Sequence, residues 1–180
     1  EEQNNNPLRK PAYFEISFGV EKKASSDKAS VALPLIIGGV KLQGKIDRID
    51  IIESNTAVPL GFIVIDYKSG AHTITPKDIT DGINIQLPIY MIAAKDIIMK
   101  TAQPIEGYFW HIKNKKQFHH CPIAYYKKNK RNPKWDTYIE AAQKYVKEYA
   151  EHIQKGIFKI APKKKCPPYC DYKNICRKGK

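Results

Sequence analysis

The sequence predicts an α/β domain whose mixed central sheet joins an antiparallel meander to a crossover helix and a further strand, with helices flanking it. Three observations carry that prediction. Between Tyr13 and Tyr67 the chain is a series of β-branched, apolar-rich runs separated by turn residues. Two stretches of helical apolar period follow, at residues 78–99 and 137–155. A strand-like run, residues 107–112, lies between them, so the first helix carries the chain from one strand to the next.

Taken in order, Tyr13 to Val20 sets Phe14, Ile16 and Phe18 in alternation with Glu15 and Ser17, the pattern of a strand with one buried face. A polar loop, Lys22 to Ser30, follows. Val31 to Ile37 and Val40 to Ile52 read as strands joined by Gly38-Gly39, a two-residue hairpin signal. The turn-rich stretch from Ser54 to Gly61 leads into Phe62 to Tyr67, which completes the meander. From Asp78 to Met99, Ile79, Ile83, Leu87, Met91, Ala94 and Ile98 recur at helical spacing. Thr75 or Thr80 is placed to cap this helix, and Pro88 marks a kink or a late start. Gly107 to Ile112 sets Tyr108, Trp110 and Ile112 on one side of a strand. The last helix, Thr137 to Lys155, carries Tyr138, Ala142, Tyr145, Val146, Tyr149, Ala150 and Ile153 on one face, a stripe that reads as packing. Thr137 and Glu140 match a capping box, and Gly156 is placed to end the helix. There are no internal repeats.

A chain of 180 residues suits one domain with a substantial core. Lysine and arginine number 31 against 18 aspartates and glutamates, a net charge of +13 that favours polyanionic partners. No run approaches the ~20 apolar residues of a membrane span. The polar start from Glu1 to Pro7 is not a secretory signal, and the missing initiator methionine suits a piece of a longer polypeptide. A cytoplasmic protein is expected.

The chemistry concentrates in Gly44-Lys45-Ile46-Asp47-Arg48-Ile49-Asp50 and Asp66-Tyr67-Lys68. If these strands pair as a hairpin centred between Thr56 and Ala57, Asp47 lies across from Asp66. Facing residues share a side of the sheet, as do residues i and i+2, so Asp47, Asp66 and Lys68 project together. Like charges facing one another are destabilising unless a cation offsets them, and a divalent metal with Lys68 would do so. Asp-x-Lys alone also fits a surface salt bridge, worth ~0–1 kcal/mol. The apolar run Phe62-Ile63-Val64-Ile65 leading into Asp66 argues for a buried strand end instead. Gly44 removes a side chain where another backbone or a ligand could approach, and Gln86 and Tyr90 share a helix face at i, i+4.

These residues resemble the PD-(D/E)xK nuclease superfamily, and within it the nuclease domain of bacterial recombination helicase–nucleases of the RecB and AddB type. The matching pieces are Phe14-Glu15-Ile16-Ser17-Phe18-Gly19, Gly44 to Asp50, Asp66-Tyr67-Lys68-Ser69, Gln86-Leu87-Pro88-Ile89-Tyr90 and a terminal cysteine cluster, in the family's order over nearly the whole chain. Two features depart from it. The family's upstream helices, with a histidine near the site and one more cysteine, have no counterpart here, and the cysteine spacing is one residue longer. The resemblance implies a restriction-endonuclease-like core over residues 1–160 and a cysteine-rich tail over 161–180. It implies catalytic roles for Asp47, Asp66, Lys68, Gln86 and Tyr90, exonuclease rather than endonuclease action, a DNA substrate and a helicase subunit or domain as partner. Arg48 and Asp50 fall out of register with Asp47 and read as structural or supporting; no role is derived for Glu15.

On this reading Asp47 and Asp66, with the backbone carbonyl of Tyr67, hold Mg²⁺ or Mn²⁺ as hard oxygen ligands. The cation activates a water for attack on a DNA phosphodiester, and Lys68 orients that water or neutralises the transition state. Gln86 and Tyr90 position the water, the lysine or the phosphate.

Two further features bear on partners. Lys115, Lys116, Lys127, Lys128, Lys130 and Arg131, interleaved with Tyr125 and Tyr126, form either a solvated loop or a nucleic-acid contact in which phosphates meet cations and bases stack on rings. Cys166, Cys170 and Cys176 argue for metal or cluster ligation rather than disulfides. A zinc or four-iron site needs four ligands. Cys121 is the one other cysteine and reads as a free thiol, while His119-His120 reads as solvated. The resemblance places the fourth ligand far upstream, so a 4Fe-4S cluster of the full-length protein is expected to be absent or labile in this stretch. Two other classes stay open: a nuclease-fold module that only grips DNA, and a zinc-stabilised nucleic-acid-binding protein.

Overall fold

The computed structural model describes residues 9–21, 29–53, 61–69, 74–113, 116–117, 123–124, 126–127 and 130–158. Their centre is a mixed sheet of strands β1 (Arg9–Phe18), β2 (Ser30–Val31), β5 (Gly44–Ile52), β6 (Gly61–Lys68), β7 (Gln103–His111) and β8 (Lys116–Gln117), in the order β2-β1-β5-β6-β7-β8. Strand β9 (Ile123–Ala124) also pairs with β7. Strands β1, β5 and β6 are antiparallel neighbours, whereas β6 and β7 run parallel. A parallel pair needs a crossover, and the helices between β6 and β7 supply it. This is the mixed α/β architecture the sequence predicts.

Register follows the sequence closely where it matters. Arg48 faces Ile65, Ile49 faces Val64 and Asp50 faces Ile63, as a hairpin centred between Thr56 and Ala57 requires. The Gly38-Gly39 turn is also as expected. Both glycines have positive φ, 56° and 84°, and they join β3 (Leu35–Ile37) to β4 (Val40–Leu42) in a separate two-stranded ladder. The expected continuous strands are therefore broken: β2 stands apart from β3, and β4 from β5. A further small ladder pairs β10 (Tyr126–Lys127) with β11 (Lys130–Arg131).

Phe14 departs from its expected burial and is 58% exposed. The register between β1 and β5 shifts between Pro11 and Tyr13, and Glu15 adopts a left-handed φ of 52°. The two irregularities re-aim the strand. Tyr13 packs on the core, Phe14 turns out, and Ile16 and Phe18 return inward.

The expected helix over residues 78–99 is two helices and a wider turn. α1 (Pro76–Thr80) begins with Thr75, whose hydroxyl caps the Asp78 N–H while the Asp78 carboxylate accepts from the Thr75 N–H, a reciprocal capping box. Gly82, with φ 75°, ends it, and Ile83 is exposed rather than part of a continuous stripe. α2 (Gln86–Ala93) then starts with Pro88 in its first turn, where a missing N–H is harmless. Residues Ala94–Ile98 continue as a π-helical turn. Leu87 and Met91 lie buried above β7, and the absence of a side chain at Gly107 lets them close on the sheet. A Cβ there would stand 2.8 Å from Met91 Sδ.

The final helix, α3 (Pro133–Gln154), starts earlier than expected because Asn132 serves as its cap, its side-chain carbonyl accepting from the Lys134 N–H. Thr137 instead lies inside the helix, its hydroxyl directed to the Pro133 carbonyl. Trp135, Tyr138, Ala142 and Val146 are buried. The chain divides into two units, Glu1–Lys147 and Glu148–Lys180, with the boundary inside this helix. In the second unit Tyr149 and Ile153 are exposed, against expectation. Gly156, φ 65°, closes the helix as predicted: its N–H reaches the Ile153 carbonyl and that of Ile157 reaches His152. Strand β7 likewise stops at His111, leaving Ile112 exposed instead of beside Tyr108 and Trp110.

One core cluster gathers Ile16, Phe18, Ile46, Ile49, Phe62, Val64, Leu87, Met91 and Phe109 with Trp135, Tyr138 and Val146 of α3. Full burial of each large apolar side chain contributes about 1.5–3 kcal/mol. A smaller cluster, Ile63, Ile65 and Tyr108, lies on the other side of β6 and β7. Among the described residues no helix is long and apolar enough to cross a membrane.

Candidate active site

The β5–β6 ladder is paired as far as Arg48 and Ile65. Just beyond that pair Asp47 makes the connection with its side chain: its Oδ2 accepts from the Tyr67 N–H at 2.9 Å. Asp66 sits at the same point of β6, 1% exposed, because Phe62, Val64 and Ile65 carry the strand through the core. Burial raises the Asp66 carboxyl above its ordinary value, Lys68 opposes the rise, and the neighbouring Asp47 charge adds to it.

Lys68 Nζ lies 2.5 Å from Asp66 Oδ2 and donates to Gln86 Oε1 at 2.8 Å. Gln86 in turn donates to the Tyr90 hydroxyl at 3.1 Å, one turn along α2. The phenol is raised above its ordinary value by burial, with the Gln86 hydrogen bond opposing and the Asp66 and Asp47 charges adding. The ammonium also lies 5.3 Å from the centre of the Phe109 ring. Asp66, Lys68, Gln86 and Tyr90 thus form one connected chain of side chains, with Asp47 acting electrostatically on its two ends.

The other side of the sheet carries a second charged network. Asp50, fully buried, accepts from Arg9 Nε at 2.6 Å and from Arg48 Nε and Nη2 at 2.6 and 2.9 Å. Arg48 also donates to the Tyr67 hydroxyl at 3.1 Å, and Arg9 to that of Tyr108. Burial works against the Arg48 charge, but Asp50 and Tyr67 outweigh it and raise the guanidinium above its ordinary value. The sequence separates Arg48 and Asp50 from Asp47 by register, and the structure agrees: Arg48, held by Asp50, donates to the Tyr67 hydroxyl on the opposite side of the sheet. Arg9 and Tyr108 carry no sequence signal for this role, since their pairing joins segments far apart in the chain.

His111 is a residue that sequence reasoning missed. It is 4% exposed and pairs in register with Lys68 across the β6–β7 ladder. Alternation from Gly107 and Phe109, both on the α2 side, places it on the same side as Lys68. Only the parallel register, invisible in the sequence, reveals it. Glu15 lies 3.7 Å from Lys45, an exposed pair at the bend of β1.

The two carboxylates suit a hard divalent cation. Asp66 Oδ2 is buried and, although close to Lys68, has no well-directed hydrogen-bond donor. Among the described residues no three His, Cys, Asp or Glu side chains gather into a metal cluster. Such a cation would rest on two carboxylates and leave positions for backbone oxygen, water and phosphate, as Mg²⁺ prefers.

Lys116, Lys127, Lys130 and Arg131 lie on the short strands β8, β10 and β11. Lys115 and Lys128 lie outside the described residues, as do Cys121, His119, His120, Tyr125 and the cluster Cys166, Cys170 and Cys176.

A mixed sheet whose adjacent strands present Asp47, Asp66 and Lys68 beside a helix bearing Gln86 and Tyr90 is the architecture of a phosphodiester-cleaving nuclease class. The chain belongs to that class: residues 1–177 match the PD-(D/E)XK nuclease superfamily. Among curated proteins it is similar to an ATP-dependent helicase/deoxyribonuclease subunit of Clostridium botulinum, at 38% identity over 47% of this chain and 7% of that protein. Similar helicase/deoxyribonuclease subunits occur in Desulforudis audaxviator, at 32% over 58% of this chain and 9% of that protein, and in Listeria welshimeri, at 31% over 63% and 10%. The chain therefore spans about a tenth or less of the length of these relatives.

Proposed function

We propose that this chain is the nuclease domain of a larger helicase–nuclease and hydrolyses DNA phosphodiesters with a divalent cation, Mg²⁺ or Mn²⁺. The observation that carries the reading is the connected chain Asp66–Lys68–Gln86–Tyr90 at the place where Asp47 reaches across to β6. Asp47, Asp66 and the backbone carbonyl of Tyr67 are the proposed ligands. The bound cation supplies charge stabilisation at the phosphate and a more acidic water. Lys68, held between Asp66 and Gln86, presents its ammonium to the attacking water or to a phosphate oxygen. Gln86 fixes the direction of that ammonium, and the Tyr90 hydroxyl fixes Gln86. Buried Phe109 and His111 keep bulk water from the lysine's sheet side.

A helicase partner and a DNA substrate are proposed by likeness to the helicase/deoxyribonuclease subunits. Exonuclease action on single strands or duplex ends and an intracellular recombination or repair setting are proposed on the sequence's resemblance to recombination helicase–nucleases. Lys115, Lys116, Lys127, Lys128, Lys130 and Arg131 are proposed to contact the nucleic-acid backbone. Cys166, Cys170 and Cys176 are proposed as three ligands of an iron–sulfur cluster in the longer protein; iron analysis of that protein tests this, and zinc in its place would reassign the site. The function itself is tested by digestion of end-labelled single- and double-stranded DNA with Mg²⁺, Mn²⁺ or chelator, beside Lys68→Ala. Metal-dependent cleavage lost in the variant is expected. Metal-dependent binding without cleavage would identify a DNA-gripping module, and equal activity in both proteins would show a contaminant.

A further inference from the structure

Phe18 and Gly44 are cross-strand partners on β1 and β5. The Phe18 ring covers its partner so closely that a Cβ at Gly44 would stand 2.8 Å from Cζ and 2.9 Å from Cε1 of that ring. Real side chains do not approach so near, so the ring has this seat only because residue 44 is glycine. An aromatic ring laid over a cross-strand glycine is a recognised way of stabilising a sheet. Here the ring has a second contact: its centroid lies 6.4 Å from that of Tyr90, with the planes at 85°, an edge-to-face pair. The same Gly44 position is 3.6 Å from Tyr90 Cε1.

Tyr90 is where the catalytic chain ends. Its hydroxyl receives Gln86 Nε2, whose carbonyl oxygen receives Lys68 Nζ. Gln86 is the first residue of α2, and Ile85 before it offers no side-chain cap, so no capping side chain helps to hold the helix start. Phe18 is fully buried in the main core cluster and therefore fixed in place.

We propose that Phe18, seated on Gly44, is a positioning residue that fixes Tyr90 and, through Gln86, the direction of the Lys68 ammonium. This rests on the nuclease reading for its catalytic consequence, but its structural core concerns the lysine alone. Replacing the ring by a smaller apolar group removes the edge against Tyr90. Adding a methyl at residue 44 displaces the ring from its seat. Both changes act on Lys68 from a distance, without touching a carboxylate.

The test compares wild type, Phe18→Leu, Gly44→Ala and a remote core variant, Val146→Ala, in protein labelled with ¹³C and ¹⁵N at lysine. The Lys68 side-chain resonance is identified by its loss in Lys68→Arg. Phe18→Leu and Gly44→Ala are expected to move it toward the position of a free lysine, while Val146→Ala leaves it in place. In DNA cleavage under Mg²⁺ the same two variants are expected to lower kcat by about ten- to a hundredfold, with KM within about twofold, because binding contacts are untouched. A Lys68 resonance unmoved by Phe18→Leu and Gly44→Ala, or moved equally by Val146→Ala, overturns the proposal. Should Phe18→Leu not fold, Phe18→Met keeps the apolar volume and loses the ring edge, and is read in the same way. Wild type that cleaves no DNA would end the nuclease reading while the resonance arm still decides the role of Phe18.

Discussion

Lys68 Nζ donates to Gln86 Oε1 at 2.8 Å, tying the last residue of β6 to the first residue of α2. Neither residue is held by its own element alone. The lysine stands at a strand end, the glutamine at a helix start, and their bond spans the crossover that makes β6 and β7 parallel.

Lys68→Ala is expected to lower the rate of DNA cleavage by about 10²–10³-fold, the usual loss when one preorganised charge stabiliser is removed. Gln86→Leu keeps the volume and loses the acceptor, so its expected loss is smaller and falls on kcat. Single-turnover cleavage of a labelled oligonucleotide measures both. A Gln86→Leu enzyme as fast as wild type would show that the lysine needs no partner on α2.

Asp50→Ala leaves Arg9 and Arg48 facing one another without their shared buried carboxylate. Breaking a buried pair in this way costs about 3–5 kcal/mol, and urea unfolding should register a loss of that size. Asp50 lies on the opposite side of the sheet from Asp47, so cation affinity of the folded variant should be retained. The reverse outcome, stability kept and cation binding lost, would move Asp50 into the metal site.

How far the sequence goes is clearest along β5 and β6. The position of the turn is enough for the register; alternation adds little on β6, which is apolar and buried on both sides. The same alternation misplaces Phe14, since a left-handed residue at Glu15 and a register shift before Tyr13 are backbone events that no residue pattern announces. Helical periodicity finds Leu87 and Met91 but runs across Gly82, where the chain turns, and so merges α1 with α2. His111 and Arg9 are illegible for another reason. Their importance comes from a parallel register and from a pairing across the sheet, both tertiary facts.

Tyr90 gives a pH signature. Its phenol is raised above the ordinary value of 10.0, chiefly by burial. The folded protein therefore disfavours the phenolate. The stability this contributes is fully present below about 10, the unfolded value, and is lost as pH rises through the higher folded value. Subtracting the phenolate absorbance titration of Tyr90→Phe from that of wild type should isolate a tyrosine that ionises later than ordinary ones. Thermal unfolding above that pH should fall less steeply in Tyr90→Phe than in wild type. A difference titration centred at or below the ordinary value would place Tyr90 in open solvent.

Cation binding separates the acidic residues from the lysine. Asp66→Ala removes the buried carboxylate in which the proposed site is centred, and Asp47→Ala removes its neighbour across the strands. Calorimetric titration with Mn²⁺ should show binding lost in the first and weakened in the second. Lys68→Ala should bind Mn²⁺ at least as tightly as wild type, because an ammonium is no ligand and its charge lies 2.5 Å from an Asp66 oxygen, where it repels a cation. Cleavage lost with binding retained in Lys68→Ala, against both lost in Asp66→Ala, assigns the carboxylate to holding the cation and the lysine to the chemistry. Weaker binding in Lys68→Ala would mean that the ammonium shapes the site rather than competes with the cation, and Lys68 would then be a structural part of the metal site.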